Sequence, residues 1–142
     1  MSVLKNVTQQ AVKFSEVDSL RVVWHGHYLR YFEDGREAFG REYNLGYLDI
    51  YEYGLAVPLI DLQIKYKRIL EYGDTAVIET TFINSPAAKL IFDYTVRSLK
   101  HDHVVCTGRS IQVFMDPKTK ELHITMPEFM EKWKQSLNIK SV

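Results

Sequence analysis

The chain has very little cysteine and no long apolar run, and each absence excludes a class of protein. Cys106 is the only cysteine among the 142 residues, so no disulfide can form within the chain, which fits a reducing compartment. No stretch reaches the ~18 consecutive apolar residues that mark a transmembrane helix. No long apolar segment follows the basic residue near the N-terminus, as it would in a signal peptide. We therefore expect a cytoplasmic protein that has no membrane partner.

The sequence also lacks an excess of charge, because its 18 basic residues are balanced by 18 acidic ones. A broad basic surface for a polyanion is therefore not expected, and neither is a nucleic-acid partner. Repeats, low-complexity stretches and linkers rich in proline, glycine or serine are absent as well. A chain of this length can bury a real core, so we expect one domain over residues 1–142.

A long amphipathic helix is predicted from His27 to about Asn44. Inside it, Gly35 costs about 0.5–1 kcal/mol relative to alanine, which predicts a close approach of the helix to another backbone. Gly46 is predicted to end the helix. Four aromatic residues and one glycine of the helix recur at steps of three or four and form one apolar stripe, which consists of Tyr28, Phe32, Gly35, Phe39 and Tyr43.

Beyond this helix the hydrophobic period changes to two, which is typical of strands and excludes an all-helical protein. A final short helix is predicted from Met126 to Leu137, with Thr125 as its N-cap and Pro127 in its first position. The element order, a strand, a long helix, four strands and a short helix, predicts an α+β fold with an antiparallel sheet. The predicted strands cover residues 8–16, 62–67, 75–83, 90–99 and 104–115.

Residues 14–33 carry the chemistry. Asp18 follows a strand-like segment, and His25-Gly26-His27 leads directly into the long helix. We expect this order to place a carboxylate, a histidine and a helix N-terminus close together, which are the groups needed to hydrolyse an activated acyl group. The acidic loop, the Val-Val-Trp-His segment that ends at His25 and the Tyr-Leu-x-Tyr-Phe-Glu start of the helix resemble the 4-hydroxybenzoyl-CoA thioesterase family.

This resemblance is densest from Val12 to Arg36 and continues weakly over most of the chain. It implies a hotdog fold, in which an antiparallel sheet wraps a long helix, and an acyl-CoA thioesterase that releases a free acid and CoA. Asp18 would act as nucleophile or as general base. The main chain around His25, Gly26 and His27 would polarise the thioester carbonyl, and the His25 side chain could add a hydrogen bond.

The resemblance also implies substrate contacts from Trp24, Gly26 and His27, and contacts from Lys89 to the CoA nucleotide. It implies no cofactor. It implies a homodimer or a homotetramer, because a single sheet leaves exposed edges that two copies can pair. The substrate would be an acyl-CoA or an acyl-carrier-protein thioester, and the identity of its acyl chain stays open.

Several alternatives remain open at this level. Asp18 could simply cap the turn that follows it, and Glu16 could take its catalytic role if both lay on one strand face. Arg21 departs from the family, because many relatives have glycine there. Two close histidines suggest a metal, but no further ligands complete a recognisable site, and none is expected. The other candidate functions are a hydratase and a non-catalytic module that binds acyl thioesters.

Overall fold

Five strands form one antiparallel sheet in the computed structural model, which describes residues 4–139. Two strands surround the helical segment in sequence, β1 (Lys5–Ala11) and β2 (Leu59–Tyr66), and three follow it, β3 (Thr75–Ile83), β4 (Lys89–Ser98) and β5 (His103–Val113). Their spatial order is β1-β3-β4-β5-β2, so β1 and β2 are the edge strands. The helices are α1 (Tyr28–Tyr43), α2 (Tyr47–Glu52) and α3 (Glu128–Ser136).

The sheet has one buried face, because its central strands alternate strictly. Every second residue of β3 and β4 is buried, and these residues pack under α1 in a single hydrophobic core. β2 lacks such a face and is mostly exposed. The core therefore lies between α1 and the centre of the sheet, while β2 has one edge without a partner strand in the protomer.

Helix α1 lies close to the sheet where its stripe contains glycine. A Cβ atom on Gly35 would come within 2.4 Å of the Thr80 hydroxyl oxygen and 2.7 Å of an Ile78 methyl carbon, so β3 side chains occupy the space that a larger residue would need. The helix ends at Asn44, which adopts a left-handed conformation with φ of 59°. From α3, the Trp133 ring nitrogen donates a hydrogen bond to the carbonyl of Tyr43 at 2.7 Å.

The predicted long helix and the four later strands are confirmed to within a few residues. The first strand exists, but its predicted bounds are wrong: β1 covers Lys5–Ala11. Residues 14–16 form a 3-10 turn, whose Glu16 side chain accepts the Lys13 N–H at 2.8 Å. Gly46 does not end α1; it precedes α2, which the sequence analysis did not predict. Thr125 is not the cap of α3, since Pro127 is its N-cap and Glu128 its first residue.

Residues 4–139 contain no helix that is both long enough and apolar enough to cross a bilayer.

Candidate active site

Asp18 lies at the tip of a tight hairpin. An antiparallel bridge joins Val17 to Val23, and the Asp18 N–H donates to the Val22 carbonyl at 3.0 Å. The Asp18 side chain is exposed, and its Oδ1 accepts the Leu20 N–H at 2.8 Å. The carboxylate therefore caps the turn that follows it, which is one of the two roles expected from the sequence. It also faces solvent.

Arg21, where many relatives were expected to have glycine, has an unusual backbone conformation. Arg21 closes the hairpin turn by donating its N–H to the Asp18 carbonyl at 3.0 Å, and its φ is 67°. Glycine adopts such a left-handed conformation without the cost that a Cβ brings. Arg21 therefore holds, under strain, a conformation that glycine adopts freely.

Glu16 lies on the inner side of the hairpin. Its side chain is only 2% exposed, and its Oε1 accepts the Tyr31 hydroxyl at 3.0 Å as well as the Lys13 N–H at 2.8 Å. Burial raises the pKa of the Tyr31 phenol, and the neighbouring Glu16 raises it further. The expectation that Glu16 and Asp18 share one face is wrong, because the 3-10 turn directs Glu16 into the protein.

The segment before α1 is a 3-10 turn over His25–His27. The N–H of His27 donates to the Trp24 carbonyl at 2.9 Å, so this amide is already used within the turn. His25 is exposed, and Gly26 is partly exposed. The amides of His25 and Gly26 are therefore better placed than that of His27 to meet a bound carbonyl oxygen.

Trp24 covers this turn. Its ring lies 4.6 Å from the His25 ring and 5.5 Å from the His27 ring between centroids. A Cβ on Gly26 would fall 2.0 Å from a Trp24 ring carbon. Glycine is thus needed for the indole to pack here, and Trp24 remains half exposed as an apolar wall beside the turn.

Tyr66 fixes the turn to the sheet, a role that the sequence analysis missed. From the end of β2, its hydroxyl donates to the His25 carbonyl at 2.9 Å. Behind it, the Leu70 N–H donates to the buried Tyr28 hydroxyl at 3.2 Å, and burial raises the pKa of Tyr28 to about 12. No local sequence pattern signals the contact between Tyr66 and His25, because 41 residues separate the two partners.

Asp18 and His25 belong to the same surface but do not form a dyad. Within residues 4–139 no hydrogen bond joins the Asp18 carboxylate to either histidine of the turn, and no three His, Cys, Asp or Glu side chains group as metal ligands. Val22 pairs with Asp18, and His25 follows three residues later, which is about 10 Å of extended chain. A bound substrate would have to bridge them.

Lys89 lies elsewhere in the protomer. It is the exposed first residue of β4. The His25 turn, by contrast, contacts Tyr66 at the end of β2. Tyr66 is level with Cys106 of β5, which pairs with Val96, seven residues after Lys89 on β4. At about 3.3 Å per residue, some 23 Å of strand separates the two levels. The structure therefore brings Asp18, Trp24, His25, Gly26 and His27 together in one protomer, but not Lys89.

A cavity of about 440 Å³ lies between α1 and the half of the sheet that contains β2. One wall consists of residues on a single face of α1, from Leu29 to Arg36, and the opposite wall includes Leu62 of β2 and Gln112 of β5. Because Leu29 is the second residue of α1, the cavity begins one residue after the helix starts. An acyl chain lying along the helix would occupy this space.

Comparison with known proteins agrees with this geometry. A Bacillus subtilis protein named "Putative acyl-CoA thioesterase YneP" is 33% identical over 85 residues, which are 60% of this chain and 62% of that relative, less than two thirds of its length. The DHNA-CoA thioesterase of Staphylococcus aureus superposes with a TM-score of 0.82 at 20% identity, covering 95% of this chain and 92% of that one. The 4-hydroxybenzoyl-CoA thioesterase of Pseudomonas sp. strain CBS-3 does so with 0.78 at 18% identity, covering 91% and 98%.

These structural likenesses establish the hotdog fold that the sequence analysis expected. The model of the thioesterase-like superfamily matches residues 12–134, which include the Asp18 hairpin, the His25 turn and every strand after α1. The resemblance noted in the sequence is thereby confirmed, and the chain belongs to the thioesterase-like superfamily of hotdog proteins.

Proposed function

We propose that the protein is an acyl-CoA thioesterase, which hydrolyses an acyl-CoA to a free acid and CoA. The observation that carries the proposal is the exposed Asp18 carboxylate, held by hydrogen bonds at the tip of a hairpin that leads into the His25 turn at the start of α1. The superfamily and the name of the Bacillus relative support an acyl thioester as substrate. The cavity along α1 offers the acyl chain an apolar entrance.

In the proposed mechanism the thioester carbonyl lies over the His25 turn, with its oxygen towards the amides of His25 and Gly26. Asp18 then either takes a proton from an attacking water or attacks the carbonyl itself, forming an anhydride that water opens. In both routes the amides stabilise the negative charge that develops on the carbonyl oxygen. The negatively charged species is the tetrahedral intermediate formed by attack on the thioester carbonyl. Its collapse breaks the C–S bond, and the CoA thiolate that leaves takes up a proton.

Glu16 is the rival carboxylate, and its surroundings favour a structural role. Its side chain is buried and receives hydrogen bonds from Tyr31 and Lys13, whereas a base for water must reach the substrate. We assign the catalytic role to Asp18 and a positioning role to Glu16, which also accepts the Trp24 N–H on its backbone carbonyl at 3.0 Å.

The protein is further proposed to act as a homodimer or a dimer of dimers. The free edge of β2 carries Leu59 and Ile60, both more than half exposed, and an open apolar edge strand favours pairing with a second copy. Lys89 would then meet a CoA bound mainly to the other copy, which would account for its distance from His25. Light scattering at micromolar concentration that finds only monomer would refute this assembly.

The central experiment compares Asp18→Asn with Glu16→Gln. Asp18→Asn keeps the shape of the turn but removes the charge, so kcat should fall at least ~10²-fold while binding of CoA and the melting temperature persist. Glu16→Gln should cost far less, because an amide oxygen can still accept both of its hydrogen bonds. Wild-type turnover by Asp18→Asn, or loss of turnover confined to Glu16→Gln, would contradict the assignment.

The same assay separates the rival functions. A thiol reagent detects CoA released from a panel of acyl-CoA esters, and acyl-carrier-protein thioesters can be added as a second panel. A hydratase would leave the thioester intact and change the acyl chain instead. A binding module would retain acyl-CoA without releasing thiol, and in that case the proposal fails.

A further inference from the structure

Arg36 is a buried cation without a hydrogen-bond partner. Its side chain is only 3% exposed, and none of its three guanidinium nitrogens has a partner. Among residues 4–139, no carboxylate forms an ion pair with it. Its guanidinium lies over the ring of Phe92, 4.5 Å from the centroid, and 5.7 Å from that of Tyr47.

Such a group is costly to leave unpaired. Burial lowers the pKa of Arg36, yet an arginine stays protonated in proteins, so the charge persists inside the molecule. Contacts with aromatic faces offset part of the desolvation cost, but they do not satisfy the five N–H donors. A buried donor set that nothing among residues 4–139 satisfies points to a ligand or to a second protein surface.

Arg36 lines the cavity along α1, at a distance from the helix start. Tyr28 and Arg36 are eight residues apart, which is about 12 Å along a helix. The first part of the cavity is apolar, with Leu29 and Leu62 on opposite walls. Glu33 is exposed and also lines the cavity, where it disfavours an anion on its own side.

The remaining wall near Arg36 is polar although it is buried. The hydroxyls of Tyr94 and Ser110 share a hydrogen bond of 2.7 Å. The Gln112 amide nitrogen donates to the Val57 carbonyl at 2.9 Å and to the Tyr47 hydroxyl at 3.2 Å. Tyr94, Ser110 and Gln112 thus already have partners, whereas a methyl end of an alkyl chain would leave the Arg36 donors unpaired.

We propose that Arg36 binds the far end of the acyl group, and that the preferred substrates are acyl thioesters whose far end carries an anionic oxygen, above all a carboxylate. The inference rests on the proposed thioesterase function and names its substrate class. The thioester lies at the His25 turn, the chain passes Leu29 and Leu62, and the anion pairs with the guanidinium. Arg36 is then the residue that determines specificity for the far end of the chain.

The first test uses wild-type protein and pairs of CoA esters of equal chain length. One member of each pair ends in a carboxylate and the other in a methyl group, over a series of increasing length. The carboxylate member should have a kcat/KM at least ~10-fold higher at the preferred length, as expected for one charge-assisted hydrogen bond. Short members, which cannot span about 12 Å, should show no such preference.

The second test uses Arg36→Met, which keeps an unbranched apolar stem but removes the charged guanidinium. The preference should reverse towards methyl-ended esters, and Arg36→Lys should restore part of it. Arg30→Met is the matched control, because Arg30 is exposed on the same helix and should leave the preference unchanged. Thermal shift of the wild-type protein by free dicarboxylic acids, against monocarboxylic acids of equal length, gives a reading that depends on neither turnover nor a variant.

The outcomes separate the inference from the function on which it rests. Equal hydrolysis of both members of every pair overturns the role of Arg36 and leaves the thioesterase proposal standing. Hydrolysis of neither overturns both. If Arg36→Met dissociates the dimer while the substrate preference stays unchanged, a second copy of the chain satisfies the guanidinium and the inference is wrong.

Discussion

Removal of the Tyr31 hydroxyl should destabilise the protein measurably, because this hydroxyl is one of two donors to the buried Glu16 carboxylate. Tyr31 is 1% exposed and Glu16 is 2% exposed, so water cannot replace the lost hydrogen bond. A hydrogen bond to a charged group contributes about 1.5–3 kcal/mol. For a domain of this size, roughly 3–4 °C per kcal/mol applies, so Tyr31→Phe should lower the melting temperature by about 5–12 °C.

The effect on catalysis should be smaller than the effect on stability. Glu16 supports the base of the hairpin, and Asp18 lies at its tip without contacting Tyr31. Tyr31→Phe should therefore retain most of its kcat below the melting transition, in contrast to Asp18→Asn. Thermal and urea unfolding measure the first quantity, and the thiol assay measures the second.

Tyr43→Phe is the matched control. Its hydroxyl also donates one hydrogen bond, to the Lys5 carbonyl at 2.8 Å, but the contact is exposed and its acceptor is neutral. It should cost about 0.5–1 kcal/mol. A double-mutant cycle of Tyr31→Phe with Glu16→Ala, which removes the acceptor, should show coupling between the two sites. An unchanged melting temperature for Tyr31→Phe, or a larger loss for Tyr43→Phe, would refute the argument.

Three further outcomes are expected. Arg21→Gly should raise stability by about 0.5–1 kcal/mol in urea unfolding, since it relieves a backbone with φ of 67°; a loss would show that the arginine side chain matters more. Lys89→Ala should raise KM several-fold for acyl-CoA but less for acyl-pantetheine, and equal effects would remove Lys89 from the nucleotide site. Burial raises the pKa of Cys106 from 9.0, and of Tyr28 and Tyr94 from 10.0, to about 12. The folded state therefore favours the protonated forms, and their contribution to the free energy of unfolding should be complete below pH 9. The free energy of unfolding should then fall as pH rises towards 12, and a profile that stays flat over this range would contradict the argument.

The centre of the fold could be predicted because its signals are local. Strict alternation in β3 and β4 and a helical stripe from Tyr28 to Tyr43 each report burial on one side, and both predictions agree closely with the structure. The first strand could not be bounded in this way. Residues 14–16 turn inward because the Glu16 carboxylate accepts hydrogen bonds from the Lys13 N–H and the Tyr31 hydroxyl. The sequence of those three residues alone does not predict these hydrogen bonds.

The candidate site was predictable in its components but not in its arrangement. The order of Asp18, His25 and the helix pointed to the segment that holds the candidate residues, but it predicted neither the hairpin at Asp18 nor the 3-10 turn at His25. Their separation, by contrast, depends on a bridge between Val17 and Val23 and on a hydrogen bond from Tyr66, 41 residues away from its acceptor. The position of Lys89 likewise depends on strand pairing, which the sequence does not give. For this reason the sequence suggested that Lys89 lies near the site, whereas within one protomer it does not reach the His25 turn.

Arg36 shows what a pattern of apolar residues leaves out. It follows Gly35 directly, and by spacing it lies three and seven residues after Glu33 and Leu29, so it occupies the helix face beside the apolar stripe. A strongly charged residue on that face normally reaches solvent. Here the side chain is buried against the rings of Phe92 and Tyr47, and the residue lines the cavity. The helix thus serves two purposes with adjacent faces: one packs the core, and the other carries the proposed selection of the acyl chain.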